Sequence, residues 1–427
     1  MNKLLKKFKT IGISVFFAFL AVVLVACKGE AETESSADDS GDSEEVTLRF
    51  SLWDQFDQEI IDKFEEENPG INIELVTIPD SDYSQKINTM LVGGTAPDVM
   101  LSFEADIERF TKNGYIEDMT DYASETDAFE MDDFIPAVAE LTEGLGGVYG
   151  LPWTYAMEIL YYNKDMFDEA GVDYPTADWT MDDFDKAAKE LTIKDGNTTT
   201  QWGADALTFR GLWWATIGAY GDDIYSDGEI RLGEGLEKTL DHQDKLTNID
   251  QVSPEPSTGG EMADLFTSGK AAMSRNGSWM IANYRDNDFN WDIAPLPTAD
   301  RDYTILHTGF YTINAESKHK EEAWKFIEFM MGHEGQTMIS EFYNNVSALE
   351  SVAAEGAYKN EGVNGPTNWE TFDIAAESGS FGYTLINAGI TNDLVSQFEA
   401  VILGELDKEE VLENSVQDAQ EQLDKLQ

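Results

Sequence analysis

Cysteine is nearly absent: Cys27 is the single one in 427 residues. The chain therefore cannot form an internal disulfide framework, and one thiol cannot build a thiolate metal cluster. Histidine is scarce as well. His242, His307, His319 and His333 are the full set, and none are paired at the spacing a zinc site uses. Basic residues are few, with 28 Lys and Arg against 83 Asp and Glu and a formal net charge of −55. A field of that sign repels nucleic acid and anionic membranes, and it argues against a phosphorylated or polyanionic ligand. A strongly acidic surface that stays soluble in saline or alkaline surroundings accounts for it without any cation-binding role. No Gly-x-Ser-x-Gly elbow and no phosphate-cradling loop occurs. Asp223-Ile224-Tyr225-Ser226-Asp227-Gly228, with Glu234 at the twelfth position, has the spacing of a calcium loop. Tyr225 stands where a short oxygen donor is needed, so a surface hairpin is expected instead and no metal site is assigned.

One apolar run is present, Ile11 to Ala26, broken by Gly12 and Ser14. It is shorter than the ~20 residues that span a bilayer. It comes after the basic stretch Met1 to Lys9, and that combination describes a secretory signal over residues 1–26. Its end, Leu24-Val25-Ala26-Cys27, resembles the bacterial lipobox. The resemblance implies that Cys27 is lipidated, becomes the first mature residue and holds the protein on the outer face of the cell membrane. Residues 27–45 then form an acidic, disordered tether, because Lys28 to Glu45 lacks any aromatic residue to bury. About 400 residues remain. A single core stops growing near ~250–300, so two lobes are expected.

From Val46 the pattern alternates strand and helix. Val46 to Trp53 reads as a strand, Gln58–Glu67 as a helix, Ile71 to Val76 as a second strand and Tyr83–Leu91 as a second helix. Asn68-Pro69-Gly70 and Gly93-Gly94 stop the two helices, and Pro97 to Leu101 opens a third strand. Such alternation implies βαβ units and an α/β fold with a largely parallel sheet. Later segments keep this style. Thr180 with Asp183 fits a capped helix start, Glu261–Gly269 and Ser278–Tyr284 look helical, and Trp291 to Ala294 is a short strand. Leu385 to Leu426 reads as one amphipathic helical tail.

Several segments in order resemble family 1 of the bacterial extracellular solute-binding proteins. They are Gly93 to Val99; Gly150-Leu151-Pro152-Trp153 through Leu160 to Phe167; Gly269 to Met273 leading to Gly277-Ser278-Trp279-Met280; Ala294 to Pro297; and Ser317 to Ile327. The resemblance implies a two-lobe, periplasmic-binding-protein-like (type II) fold with a hinged ligand cleft. It places three chain crossings near Tyr155, Thr308 and Ser347. The N-terminal lobe would then be 46–155 plus 309–347, and the C-terminal lobe 156–308 plus 348–427. It also implies a monomer that captures a carbohydrate and delivers it to the permease and ATPase of an ABC importer, without cofactor or catalysis. The same fold could instead hold a polyamine or a glycerol phosphodiester, and a secreted glycosidase working with two carboxylates is a third reading. Hinge closure over ligand needs contacts from both lobes.

A sugar offers apolar C–H faces to aromatic rings and hydroxyls to carboxylates and amides. Strand ends and the loops after them are where open α/β sheets bind ligands. Trp53 and Asp54 end the first strand, and Glu104 and Asp106 come just after the third. Tyr155 falls in the first crossing, and Phe310 and Tyr311 come after Gly309 at the second. Trp213 and Trp214 are adjacent, so one of them is expected to line the cleft rather than share a core. Trp279, after Gly277-Ser278 at a helix start, is the strongest single candidate, since the family stacks sugar on an aromatic there. Glu158 is read as a strand residue facing solvent. Trp291, Trp324 and Phe326 are read as core.

Overall fold

Alternation of apolar residues makes the first strand bury one face: in β1 (Val46–Leu52) Leu48, Phe50 and Leu52 point into the core. Helix α1 (Gln58–Glu67) comes next, with Ile60, Ile61 and Phe64 buried on one face. Asp57 caps it by accepting from the Glu59 N–H. Gly70, at φ 97°, turns the chain into β2 (Ile71–Thr77), which pairs parallel to β1 from Val46↔Ile71 to Leu52↔Thr77. Helix α2 (Asp80–Val92) then returns the chain to β3 (Val99–Ser102), parallel to β1 on its other edge. Helix α3 (Glu104–Lys112) starts directly after β3. This computed structural model describes residues 45–426 apart from 143, 206, 208–209, 257–263 and 360–364. The signal, the lipobox Cys27 and nearly all of the tether lie outside the described residues. Among those described, no helix is long and apolar enough to cross a membrane.

The main sheet runs Trp291–Ala294, β4 (Leu151–Asn163), Thr304–Ile313, β3, β1, β2. All thirteen residues of β4 are buried. Its first half pairs antiparallel with Thr304–Ile313, and its second half with Trp291–Ala294 and Met273–Gly277. Tyr155 faces Thr308 on one side and Val346 on the other, so the three positions at which crossings are expected lie on neighbouring strands. The result is a curled α/β sheet consistent with two lobes, and Trp291, Trp324 and Phe326 are core.

Three local readings need correction. Residues 264–269 form hydrogen-bonded turns rather than a helix, because the Asp264 carboxylate accepts from Phe266 and Thr267 N–H and Gly269 sits at φ 65°. The C-terminal tail is two helices, Ala388–Ile402 and Lys408–Asp424, split at Gly404 (φ 71°). Trp213 and Trp214, in helix Arg210–Ala219, both lie in one core. Both rings are enclosed there: Trp213 and Trp214 each meet Phe398, and Trp214 also stacks on Tyr383.

Phe398 thus ties helix Ala388–Ile402 to both tryptophans. Truncation to alanine should cost about 3–5 kcal/mol by cavity formation. A urea melt of Phe398→Ala should show a lower midpoint with an unchanged slope.

Candidate ligand-binding cleft

Parallel strand β1 ends at Trp53-Asp54, and β3 runs directly into Phe103-Glu104, so both strand ends deliver side chains to one place. Trp53 stacks on Phe103 at 4.2 Å and 20°, and meets Tyr83 and Trp153 edge-on at 5.4 and 6.0 Å. Trp153 in turn packs edge-on to Tyr343 at 5.0 Å. The Tyr343 hydroxyl donates to the Gln55 carbonyl, fixing the loop after β1. Trp279, His307 and Tyr383 form a second group on the same cavity. Trp279 and His307 are edge-on at 5.2 Å, and His307 and Tyr383 at 5.8 Å. Between the two groups lies a cavity of about 330 Å³, within the range of small-molecule sites. Asp54, Asp80 and Glu104 bring carboxylates to it, and Ser84, Asn345 and Thr384 bring neutral polar groups. Among the described residues no Lys or Arg lines it.

Glu104 is buried where its Oε1 accepts from the Thr308 N–H at 2.8 Å. Burial pushes its carboxyl up to about 7, against the lowering effect of hydrogen bonds from Thr308 and Thr384, with Asp106 adding a smaller upward push. Glu158 does not face solvent as expected. It is fully buried in β4 and hydrogen-bonds His307 Nε2 at 3.1 Å, which orients the ring that edges Trp279. Tyr383 is backed by Trp214, stacked at 5.6 Å and 5°.

Trp53, Asp54, Glu104 and Trp279 line this cavity; six other candidate residues do not. Asp106 is buried against Ser84 and the Arg109 guanidinium, where it braces α3 to α2. Tyr155 is in the core beside Tyr358 and Asp373, and burial lifts its phenol to about 12. Trp213 and Trp214 are core, with Trp214 only backing the wall. Phe310 and Tyr311 lie beyond a bulge in a strand covered on both faces, and both are fully buried. Several lining residues were not picked out from sequence. Phe103 and Trp153 neighbour Glu104 and Tyr155 and carried the same aromatic signal. His307, Tyr343 and Tyr383 carried none.

The expected surface hairpin is present at Ile224–Ser226 and Glu229–Arg231, turning through Asp227 and Gly228 at positive φ. Among the described residues no cluster of three or more His, Cys, Asp or Glu could hold a metal.

A curled α/β sheet with ligand-sized space at its strand ends is the architecture of the two-lobe binding proteins. Residues 52–337 match the bacterial extracellular solute-binding proteins, and the chain belongs to that family. Among similar proteins, the multiple sugar-binding protein of Streptococcus mutans is 25% identical over 351 residues, covering 76% of this chain and 79% of that one. The maltodextrin-binding protein MdxE of Bacillus subtilis is 26% identical over 370 residues, 81% of each. The ABC substrate-binding protein of Listeria monocytogenes in complex with cycloalternan has the same fold, with a TM-score of 0.77, 23% identity and coverage of 89% of this chain and 99% of that one. The maltose/maltodextrin-binding domain of Bdellovibrio bacteriovorus bound to maltotriose gives a TM-score of 0.75, 21% identity and coverage of 89% and 100%.

The raised pKa of Glu104 has a definite sign. Its folded value, about 7, lies above the ordinary 4.5, so the native state holds an extra proton between those pH values. The stabilising effect is full below pH 4.5 and is lost as pH rises through about 7. Denaturant melts of wild type and Glu104→Gln should diverge over that window, with wild type losing about 3 kcal/mol relative to the variant. A constant difference across pH would contradict the assignment.

Proposed function

We propose that this protein is the extracellular solute-binding component of an ABC importer, that it takes a mono- or oligosaccharide in the cleft, and that it hands the sugar to the membrane permease. The observation that carries this is the cavity itself: aromatic rings on two sides, carboxylates and amides between them, and no cationic side chain among its described lining. Rings suit the C–H faces of a pyranose, and acids and amides suit its hydroxyls. The same lining disfavours a glycerol phosphodiester. Trp53, Asp54, Glu104 and Trp279 are assigned to ligand contact, together with Phe103, Trp153, His307, Tyr343 and Tyr383. The names of the relatives support the sugar reading, and two of them, from Streptococcus pneumoniae, are named lipoproteins of maltooligosaccharide transporters. Cys27 is assigned as the lipid acceptor that keeps the protein, as a monomer, at the cell surface.

Tyr155, Thr308 and Ser347 are assigned to the hinge, since the strands that carry them adjoin. Closure brings Trp279 and Trp53 onto one guest, and only such two-sided contact gives the differential affinity that shifts an open–closed equilibrium. The relatives are binding proteins by name, and no catalytic step is assigned.

The acid-lined wall favours one rival, a polyamine guest. Calorimetry against maltotriose, mannobiose, tagatose and spermidine separates the two. The expected outcome is binding of a sugar, weakened about tenfold in Trp279→Ala through loss of ring stacking. Binding of spermidine alone would replace the sugar reading, and unchanged affinity in Trp279→Ala would remove the stacking role.

A further inference from the structure

Two glycines of the cleft are not turn glycines. Neither Gly277 nor Gly309 is among the positive-φ residues, so an L side chain suits the backbone of both. What they lack is room. A Cβ added at Gly277 would stand 2.2 Å from Trp279 Cη2 and 2.3 Å from its Cζ2 and Cζ3. A Cβ added at Gly309 would stand 2.6 Å from Trp53 Cη2 and 3.3 Å from Leu101 Cγ and Cδ1. Each of the two tryptophans Trp53 and Trp279 that line the cavity thus lies directly on a glycine.

The two seats differ in what can yield. Gly277 cannot retreat: it pairs with Glu158 in the strand register, its carbonyl accepts from the Tyr161 hydroxyl at 2.7 Å, and its N–H donates to Asn276 Oδ1 at 2.8 Å. The partly buried indole of Trp279 is therefore the part that must move. Trp53 is gripped by Phe103, Tyr83 and Trp153, so strain at Gly309 spreads into that ring cluster and into Leu101.

We infer that Gly277 is a positioning residue for ligand binding: its bare backbone is the surface on which the Trp279 indole rests, and this fixes the depth at which the ring meets the guest. Gly309 does the same for Trp53, at greater cost to the fold when altered. The inference rests on the stacking role proposed above for Trp279. The physical gain is preorganisation. An indole held against a rigid strand has already lost the rotamer freedom that binding would otherwise remove, which costs roughly 0.5–1.5 kcal/mol per ordered side chain. A methyl group at Gly277 removes the seat while leaving the tryptophan in the chain.

The test is a double-mutant cycle on the intact protein with Gly277→Ala, Trp279→Ala and the double variant, using maltotriose and mannobiose as probes. Gly277→Ala should weaken binding about tenfold with its cooperative melt retained. In the Trp279→Ala background the same change should cost nothing further, because no indole remains to be displaced. Additive losses, an unchanged affinity or a lost cooperative melt would each overturn the inference. A second readout needs no ligand. In protein labelled with 5-fluorotryptophan, the 19F resonance missing from Trp279→Ala identifies that ring, and Gly277→Ala should shift it. A stationary resonance refutes the seat. If neither sugar binds wild type, the sugar reading fails for these probes, and the fluorine shift alone then decides whether Gly277 seats Trp279.

Discussion

Strand β4 is buried through all thirteen residues and pairs with four other strands, and its partners change midway. Buried peptide groups must be paired, so wherever β4 goes, partner strands must accompany it. Before Glu158 those partners are the return strand Thr304–Ile313 and the short strand Val346–Ser347. From Glu158 onward they are Met273–Gly277 and Trp291–Ala294. Both halves of the molecule are therefore hung on one backbone. The cavity opens beside the exchange of partners, where Ala156, His307 and Thr308 leave the ladder's surface uncovered. The near-continuous apolar run of β4 is what a strand covered on both faces requires.

That arrangement explains which parts could be read from sequence. The β1–α1–β2–α2–β3 series was legible because each element carries its own periodicity and its own stop, and the place of Trp53 at the end of β1 came with it. Trp279 was legible through its glycine-serine-tryptophan context. Trp213 and Trp214 misled because a helix usually buries one stripe, whereas Phe398 meets both rings and Tyr383 also stacks on Trp214, so both stay in the core. Tyr343 and Tyr383 reach the cavity from segments after residue 340, where only tertiary packing brings them near Trp153 and His307. Glu158 looked like a solvated acid in an acidic chain; its burial depends on a histidine 149 positions away.

The charge distribution obeys the same logic. A chain of net charge −55 must keep most of its acids in water. The acids taken inside have specific partners: Asp106 has Arg109 and Ser84, Asp185 has His242 and Lys245, and Glu158 has His307. Unpaired burial would cost several kcal/mol per charge. The exposed pairs, such as Lys238 with Glu234 and Asp300, are worth little in comparison.

Glu104 stands apart, because its partners are hydrogen-bond donors rather than cations. It sits at the first turn of α3 and accepts from the Thr308 N–H in strand Thr304–Ile313, with Thr384, in the segment that carries Tyr383, close enough to favour its charged form. Helix α3, strand Thr304–Ile313 and segment Gly382–Leu385 thus meet around this one carboxyl. Access of water to this carboxyl would lower its preference for a proton, because burial is the largest cause of the raised value. Whereas Asp106, Asp185 and Glu158 sit against a cation or a histidine, this carboxyl is the cavity-lining one whose charge is governed by burial.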